Sequence, residues 1–324
     1  MKKICTAVLC MVLGLSGLSC SKENHENPDL LQLDLKVKVV NEPGIVIYEP
    51  DLYPEGLDYD KRDNRFLISS ITRGDVGQVI DGEYSVWVTN PDFVSTIGLH
   101  VDQSGKRVLI TNSNIDGSLA ALAAYDLSGE FIFYTELHPL RPGGHFANDV
   151  TVDHKGNAYV TDSYAGILYK LNPQGEAEIF LEDPALAPAP GAFGLNGIDY
   201  DPRGFLLVGK ADGNILIKVP LDDPHAWSQI NVDAPLFSPD GLYLKNPNEL
   251  LVVSNDFGGE NSRVQTFRTK DKWETATLVE EILTPNEFTT TITMRKNSPY
   301  VLVAHLDVLL AGGSTDAFTI LKAE

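Results

Sequence analysis

A short segment recurs six times along this chain of 324 residues. Each copy has a polar or variable first position, alternating residues, a turn signal and then an apolar strand. The six copies begin at Glu55, Ile97, Asn148, Asn196, Asp240 and Thr290. Their starts lie 42 to 51 residues apart, which is the length of one four-stranded blade of a β-propeller. The repeat therefore predicts an all-β fold with six blades around a central channel.

The two ends of the repeat region predict how the ring of blades closes. Two N-terminal segments, LKVKVV at 35–40 and GIVIYEP at 44–50, read as strands. No stretch of ten or more residues after the N-terminal leader has helical periodicity. A propeller usually closes by placing strands from both chain ends in one blade. We therefore expect the C-terminal segment AFTILKA to pair with one of the two N-terminal strands.

The N-terminus has the features of an export signal. Two lysines precede an apolar run that is too short to span a bilayer and that ends at Cys20. This resembles a bacterial lipoprotein signal, although Gly17 stands where the usual motif has leucine. Residues 1–20 are interpreted as a lipoprotein signal region, with cleavage at Cys20 and acylation of that residue, and an ordinary secretory signal is the alternative. Residues 21–33 read as a polar tether, and the propeller is expected to occupy residues 34–324.

Charge and cysteine content restrict the compartment and the partners. The formal net charge of −20 disfavours binding to nucleic acid or to anionic lipid. Contact with a membrane is therefore expected through the lipid anchor alone. Cys5 and Cys10 lie in the leader, so the processed chain has no disulfide. We expect a monomeric extracytoplasmic lipoprotein, in the outer membrane, on its periplasmic or cell-surface side.

Four of the six first positions carry oxygen donors. They are Glu55, Asn148, Asn196 and Asp240, in blades one, three, four and five. Taken singly, each is also a residue type that caps turns. Radial symmetry, however, brings positions of equal register near one axis, where converging carboxylates would repel each other without a cation. Two carboxylates and two amide oxygens suit Ca²⁺. Mg²⁺, Mn²⁺ and Zn²⁺ are alternatives, and the scarcity of histidine and cysteine disfavours zinc.

The motifs around these positions resemble those of a known family. They are Glu55-Gly56, Asn148-Asp149, Asn196-Gly197 and Pro239-Asp240-Gly241. In order and spacing the chain resembles the family of gluconolactonase, senescence marker protein and luciferin-regenerating enzyme, within the wider group of calcium-dependent phosphotriesterases and paraoxonases. The resemblance implies that these four side chains hold a catalytic divalent metal. Paraoxonases have an aspartate after the glutamate, and Gly56 at that position argues against a second, structural ion.

A cation with open positions on the channel axis supports hydrolysis of an ester or lactone. By resemblance, Asp240 binds the metal and also either activates water or attacks the substrate, and a role in metal binding alone is the alternative. His145, on the loop before Asn148, is a candidate proton shuttle, or else an exposed loop histidine. The sequence contains no GxSxG, phosphate-binding glycine loop or HExxH motif.

Four further residues are expected near the channel mouth. Lys210 is a candidate for binding an anionic or hydroxylated substrate, unless it pairs with a carboxylate at the mouth. His305 either faces the substrate or stabilises the sixth blade. Phe146 and Phe193 lie just before metal-ligand positions, so they form either an apolar substrate wall or wedges between blades.

The sequence thus predicts a Ca²⁺-dependent hydrolase of a lactone or related ester, similar to gluconolactonase. The alternative is a non-catalytic surface propeller that binds a glycan or a protein partner. The third repeat, with its segment GNAYVTDS, also resembles the NHL type of propeller repeat, whose members often bind partners without catalysis. This similarity reflects blade geometry, and NHL propellers do not usually have this ring of oxygen donors.

Overall fold

The computed structural model describes residues 35–40 and 44–324. These residues form a six-bladed β-propeller, which confirms the fold predicted from the repeat. The predicted signal peptide (1–20), its acylation site Cys20 and the tether (21–33) lie outside the described residues. Within the described part of the chain, no helix combines the length and the apolar character needed to cross a bilayer.

The N-terminal strands and the first three blades follow the order of the repeats. The strands are β1 (Lys36–Val39) and β2 (Ile45–Tyr48); in blade one β3 (Leu57–Asp60), β4 (Arg65–Ser69), β5 (Val76–Ile80) and β6 (Glu83–Val88); in blade two β7 (Ser95–Asp102), β8 (Arg107–Ser113), β9 (Ala120–Asp126) and β10 (Phe131–Glu136); and in blade three β11 (Ala147–Val152), β12 (Ala158–Asp162), β13 (Ile167–Leu171) and β14 (Ala177–Glu182).

The remaining blades include short additional elements. The strands are, in blade four, β15 (Leu195–Asp201), β16 (Phe205–Lys210), β17 (Ile215–Pro220) and β18 (Ser228–Gln229); in blade five, with β19 (Asn231–Val232) beside it, β20 (Pro239–Asn246), β21 (Glu249–Ser254), β22 (Arg263–Arg268) and β23 (Thr275–Leu283); and in blade six β24 (Thr289–Arg295), β25 (Ser298–Val303) and β26 (Ala317–Lys322). The helix α1 spans Leu306–Leu310, and 3-10 helices span His138–Leu140, Pro184–Leu186, Ala211–Gly213, Pro224–Ala226 and Asp256–Gly258.

The ring closes in blade six. Strand β2 forms its outermost position and pairs antiparallel with β26, from Ile45 opposite Ile320 to Tyr48 opposite Ala317. This confirms the expected pairing of the C-terminal segment with one N-terminal strand. The other N-terminal strand, β1, lies instead in blade five, where it pairs parallel with β23. Both N-terminal strands therefore cover blade edges that would otherwise be unpaired.

Apolar side chains fill the spaces between neighbouring blades. Tyr59, Phe66 and Tyr300 are in contact between blades one and six, with ring centroids 5.1 to 5.2 Å apart. Trp273 is fully buried between blades four and five. This packing fixes the innermost strands β3, β7, β11, β15, β20 and β24 around the axis, where the candidate site lies.

Candidate metal centre

A β-bulge reorients the first position of the repeat in blades two to six. In blade three, Ala147 of β11 lies opposite Asp162 of β12, and the next pair is Val150 opposite Val160. Two residues of β11, Asn148 and Asp149, therefore lie opposite a single residue of β12, Thr161. The same two-against-one arrangement occurs at the first positions of the other four blades. A bulge bends its strand and changes the direction of a side chain. Four of these five first positions, Ile97, Asn148, Asn196 and Asp240, line one cavity.

The glycine that follows three of the candidate ligands has a packing role. A Cβ atom at Gly56 would lie 2.4 Å from the carbonyl oxygen of Ile97, and one at Gly197 would lie 2.0 Å from the carbonyl oxygen of Asp240. Gly241 is similarly close to the backbone of Thr291. The innermost strands of neighbouring blades thus approach too closely for a side chain. The EG, NG and DG motifs are explained by the approach of the blades.

The structure brings all four predicted ligands into one cavity of about 400 Å³. Glu55, Asn148, Asn196 and Asp240 are each only 4 to 8 % exposed. They come from four different blades, and Glu55 and Asp240 are separated by 185 residues in sequence. The four side chains therefore meet because the ring of blades closes and not because they are close in the chain. That they hold a metal stays a prediction.

Asn148 presents an oxygen atom without a partner. Its Nδ2 donates a hydrogen bond of 2.9 Å to Ser163 Oγ, which itself donates to the carbonyl of Leu195 at 2.6 Å. Because the serine hydroxyl proton is used in the second bond, Asn148 must direct its amide nitrogen to Ser163 and its Oδ1 away from it. This Oδ1 is buried and has no hydrogen-bond partner among the described residues. A buried acceptor of this kind fits coordination to a cation.

Burial strongly affects the two carboxylates of the site. Burial raises the pKa of Glu55 well above its ordinary value, and the negative charges of Asp240 and Asp149 raise it further. Burial likewise raises the pKa of Asp240, with a further increase from Asp149, while hydrogen bonds from Asn255 and Asn196 act in the opposite direction. No Lys, Arg or His side chain is among the described residues that line the cavity. A bound divalent cation would therefore offset a charge that the protein leaves uncompensated.

The donor set is mixed. Among residues 35–40 and 44–324, no cluster of three or more Asp, Glu, His or Cys side chains is arranged to hold a metal. The candidate centre has two carboxylates, and its other two donors are amide oxygens. An all-oxygen set fits Ca²⁺ or Mg²⁺. The nitrogen and sulfur ligands typical of zinc are absent from the described lining of the cavity.

His145 does not lie in the cavity, which corrects the sequence-based hypothesis of a proton shuttle. It is fully buried, with Nδ1 2.7 Å from Asp162 Oδ2 and Nε2 2.7 Å from the carbonyl oxygen of Arg141. The hydroxyl of Tyr169 also donates to Asp162 Oδ2 at 2.9 Å. The hydrogen bond with Asp162 is the main cause that raises the pKa of His145. With both ring nitrogens engaged, His145 fixes its loop and has no free atom for a substrate.

For Lys210 and His305 the structure corrects the predicted substrate role and agrees with the alternative, an ion pair for Lys210 and packing in the sixth blade for His305. Lys210 is buried and forms an ion pair with Asp212, so it does not line the cavity. His305 has a left-handed backbone (φ 52°) just before α1, and its Nε2 lies 3.9 Å from Glu287 Oε2. Its ring packs against Phe318 in blade six, with centroids 6.1 Å apart. In both cases the local partner determines where the side chain points.

Phe146 and Phe193 do line the cavity. Their ring centroids are 5.4 Å apart, nearly perpendicular to each other. Asn255 lines it too, and its side chain donates a hydrogen bond of 2.6 Å to Asp240 Oδ2. Sequence reasoning assigned no role to Asn255. It directly follows β21, at the position that Ser163 holds after β12 in blade three. Ser163 contacts Asn148 as Asn255 contacts Asp240.

No protein-family model matches the chain, and no curated protein sequence matches it. Several solved structures do. The allergen Mala s 1 of Malassezia sympodialis has a TM-score of 0.71 at 14 % identity, covering 88 % of this chain and 96 % of its own. The calcium-binding protein regucalcin of Agrobacterium tumefaciens has a TM-score of 0.62 at 18 % identity, covering 89 % and 96 %. The chain shares the fold of these proteins.

A gluconolactonase of Xanthomonas campestris is also similar, with a TM-score of 0.59 at 15 % identity, covering 86 % of this chain and 88 % of its own. These neighbours have the fold that the resemblance in the sequence motifs implied. The fold itself does not select a reaction, because virginiamycin B lyase of Staphylococcus aureus has it as well, with a TM-score of 0.56 at 13 % identity, covering 86 % and 97 %.

Proposed function

We propose that this chain is a divalent-metal-dependent hydrolase of a lactone or related ester, with Ca²⁺ as its ion. The observation that carries the proposal is the convergence of two buried carboxylates and the unpartnered Asn148 Oδ1 in one cavity. Glu55, Asn148, Asn196 and Asp240 would hold the ion. Two structural neighbours, one described as a calcium-binding protein and the other as a gluconolactonase, support this choice.

When bound, a divalent cation at such a site polarises a carbonyl oxygen and stabilises negative charge that develops on it. The reaction adds one water across the acyl–oxygen bond. The hydroxyl goes to the acyl carbon, and a proton ends on the released alkoxide oxygen. For this chemistry the protein must supply a group that accepts a proton from water and later returns it.

Asp240 is the best candidate for that group. The cavity has no histidine among its described lining residues, so proton transfer falls to a carboxylate, Glu55 or Asp240. The hydrogen bond from Asn255 fixes Asp240 Oδ2 and thereby the orientation of the carboxylate. Burial raises the pKa of Asp240 above its ordinary value, which makes its carboxylate a stronger base than that of an exposed aspartate. Among the described residues, no side chain donates a hydrogen bond to the Glu55 carboxylate, and Glu55 is assigned to cation binding alone.

We also propose that the protein works outside the cytoplasm as a monomeric lipoprotein attached through Cys20. The sequence of the leader supports the anchor, and the acidic composition supports contact with the membrane through lipid alone. The expected partner is a small neutral substrate and not a nucleic acid.

The proposed function is tested by hydrolysis of a panel of lactones and aryl esters by the purified chain, before and after EDTA treatment and with Ca²⁺ returned. We expect hydrolysis that EDTA abolishes and Ca²⁺ restores, and a loss of at least a hundredfold in Asp240→Asn. Glu83→Gln, an exposed glutamate on β6, is the matched control. Binding of Ca²⁺ without hydrolysis of any substrate would favour the non-catalytic alternative.

A further inference from the structure

Most of the cavity lining is apolar, although Thr72, Ser95, Ser238 and Asn255 line it in addition to the four candidate ligands. Eleven of its nineteen lining residues are Ala, Ile, Leu or Phe. Four phenylalanines form a continuous arc along the wall: the ring centroids of Phe146 and Phe193 are 5.4 Å apart, those of Phe193 and Phe257 are 6.0 Å apart, and those of Phe257 and Phe288 are 5.7 Å apart. This arc, Phe146–Phe193–Phe257–Phe288, is referred to below as the aromatic arc. It gives a ligand a wide apolar surface above the oxygen donors.

The mouth of the cavity is apolar as well. Ile115, Phe257 and Leu310 line the cavity and are 62 %, 51 % and 59 % exposed. They belong to three different parts of the ring: the turn after β8, the 3-10 helix after β21, and the end of α1. A single exposed apolar residue is ordinary on a protein surface, but three around one opening form a patch. The apolar surface is thus continuous from solvent to the ligands.

The backbone of the aromatic arc is held in an uncommon conformation. Phe257 and Phe288 have left-handed backbones, with φ of 50° and 57°. This region is rarely occupied by bulky residues, and it persists where the surrounding structure fixes it, often at functional sites. Hydrogen bonds supply that constraint here, since the N–H of Phe257 donates to Asn255 Oδ1 at 2.9 Å and the carbonyl of Phe288 accepts from the N–H of Ala304 at 3.0 Å.

We propose that the ligand of this cavity is a neutral lactone or ester with an apolar alkyl or aryl group, which packs against the aromatic arc while its carbonyl lies at the oxygen donors. The assignment to a lactone or ester rests on the proposed function. A sugar lactone is disfavoured because its hydroxyl groups would lose their hydrogen bonds to water against phenylalanine and leucine side chains. An anionic substrate is disfavoured because the described lining contains two carboxylates and no basic side chain.

Turnover of a homologous series tests this substrate class. The full chain, loaded with Ca²⁺, is assayed with glucono-δ-lactone and with a series of γ-butyrolactones. Each γ-butyrolactone carries a straight alkyl group of one to eight carbons on the carbon next to the ring oxygen. We expect kcat/KM to rise about three- to fourfold for each added methylene until the cavity is filled, and the sugar lactone to be the poorest substrate. A preference for glucono-δ-lactone, or a series without dependence on chain length, overturns the substrate class and leaves the proposed hydrolase intact.

Binding of analogues that are not hydrolysed tests the apolar site independently of catalysis. The corresponding γ-lactams carry the same alkyl groups on the carbon next to the ring nitrogen. They keep the carbonyl but resist hydrolysis, and their Kd is measured by isothermal titration calorimetry. If no lactone is hydrolysed and the Kd of the lactams still falls about three- to fourfold for each methylene, the proposed function fails and the apolar site stands. If the Kd does not change with chain length, the apolar site is contradicted whether or not lactones are hydrolysed.

Two variants test whether the alkyl group of the ligand packs at the mouth of the cavity. Phe257→Ala and Leu310→Ala remove exposed side chains at the mouth, so the fold should tolerate both, as melting temperatures will check. We expect each to weaken binding of the octyl lactam about tenfold and that of the methyl lactam by less than about twofold. The matched control is Phe131→Ala, which removes a phenylalanine of 57 % exposure on β10, outside the cavity. An equal loss in Phe131→Ala, or none in either mouth variant, contradicts the proposal.

Discussion

The side-chain amide of Asn255 donates a hydrogen bond of 2.6 Å to Oδ2 of Asp240. The same nitrogen lies 3.1 Å from the carbonyl oxygen of Thr289 in blade six, and Asn255 Oδ1 accepts from the N–H of Phe257. One buried side chain thus connects a candidate metal ligand, the neighbouring blade and the aromatic arc. Asn255 is therefore a positioning residue for the site.

Replacing Asn255 should weaken the metal site without removing a ligand. In Asn255→Ala the Asp240 carboxylate loses a hydrogen-bond donor, and loss of such an outer partner typically costs about tenfold to a hundredfold in metal affinity. We expect the Kd for Ca²⁺, measured by calorimetry, to rise by at least about tenfold. Asn231→Ala, on the exposed part of β19, is the control and should bind as the wild type does. An unchanged Kd in Asn255→Ala would show that Asp240 needs no such support.

The packing of the innermost strands predicts a strong effect of one methyl group. In Gly197→Ala the new Cβ would lie 2.0 Å from the carbonyl oxygen of Asp240, so one of the two strands must move. We expect a loss of about 2 kcal/mol in the free energy of unfolding, measured by urea denaturation, together with weaker Ca²⁺ binding. Gly144→Ala is the matched control, because a Cβ atom there would meet no described atom within 4 Å beyond its chain neighbours, and its φ is not left-handed. Equal stabilities for the two variants would disprove the packing argument.

The buried His145–Asp162 pair predicts a dependence of stability on pH. The pKa of His145 is raised in the folded state, so the folded protein binds its proton more tightly than the unfolded chain does. The stabilisation is therefore complete below the unfolded value of about 6.5 and is lost as the pH rises through the folded value. The groups that face the ring are Asp162, the hydroxyl of Tyr169 and the carbonyl of Arg141.

His145→Gln is the variant that tests this pair. We expect the difference in unfolding free energy between the wild type and His145→Gln to be largest near about pH 6 and to shrink towards about pH 9, as followed by urea denaturation across that range. A difference that grows with pH would mean that His145 is buried in its neutral form.

The number of blades and the convergence of Glu55, Asn148, Asn196 and Asp240 could be predicted from the sequence. In a propeller, residues at the same position of each repeat lie at similar distances from the central axis. A first position in any blade lies near the channel whatever its distance along the chain. The β-bulge and the close approach of neighbouring strands, which explain Gly56 and Gly197, depend on three-dimensional contacts and were not predicted.

The sequence-based site residues that were wrong share one physical reason. Register places a backbone position on the channel side, but a side chain points to its strongest nearby partner. Lys210 turns to Asp212, and His145 turns to Asp162 and away from the cavity. The side chains of Phe146 and Phe193 have no polar atom that needs a partner, and both line the cavity next to the ligand positions that they precede.

The central claim is that Glu55, Asn148, Asn196 and Asp240 bind one divalent cation. In the protein without a bound cation, the pKa of Glu55 is raised, so the folded state binds more protons than the unfolded chain does. The metal-free protein should then lose stability as the pH rises from about 4.5 through the folded value. Because a cation binds the ionised carboxylates, stabilisation by Ca²⁺ should grow over the same range.

The most direct test is the melting temperature at about pH 8 in EDTA and in saturating Ca²⁺, for the wild type, Glu55→Gln and the exposed control Glu83→Gln. We expect Ca²⁺ to stabilise the wild type and the control by about 2.7 kcal/mol at about a hundred times Kd. Glu55→Gln should melt higher than the wild type in EDTA, since it removes the cost of burying a carboxyl group that the unfolded chain would ionise at this pH, and should lose most of its response to Ca²⁺. A wild type that melts at the same temperature with and without Ca²⁺, or a Glu55→Gln variant that responds fully, would contradict the claim.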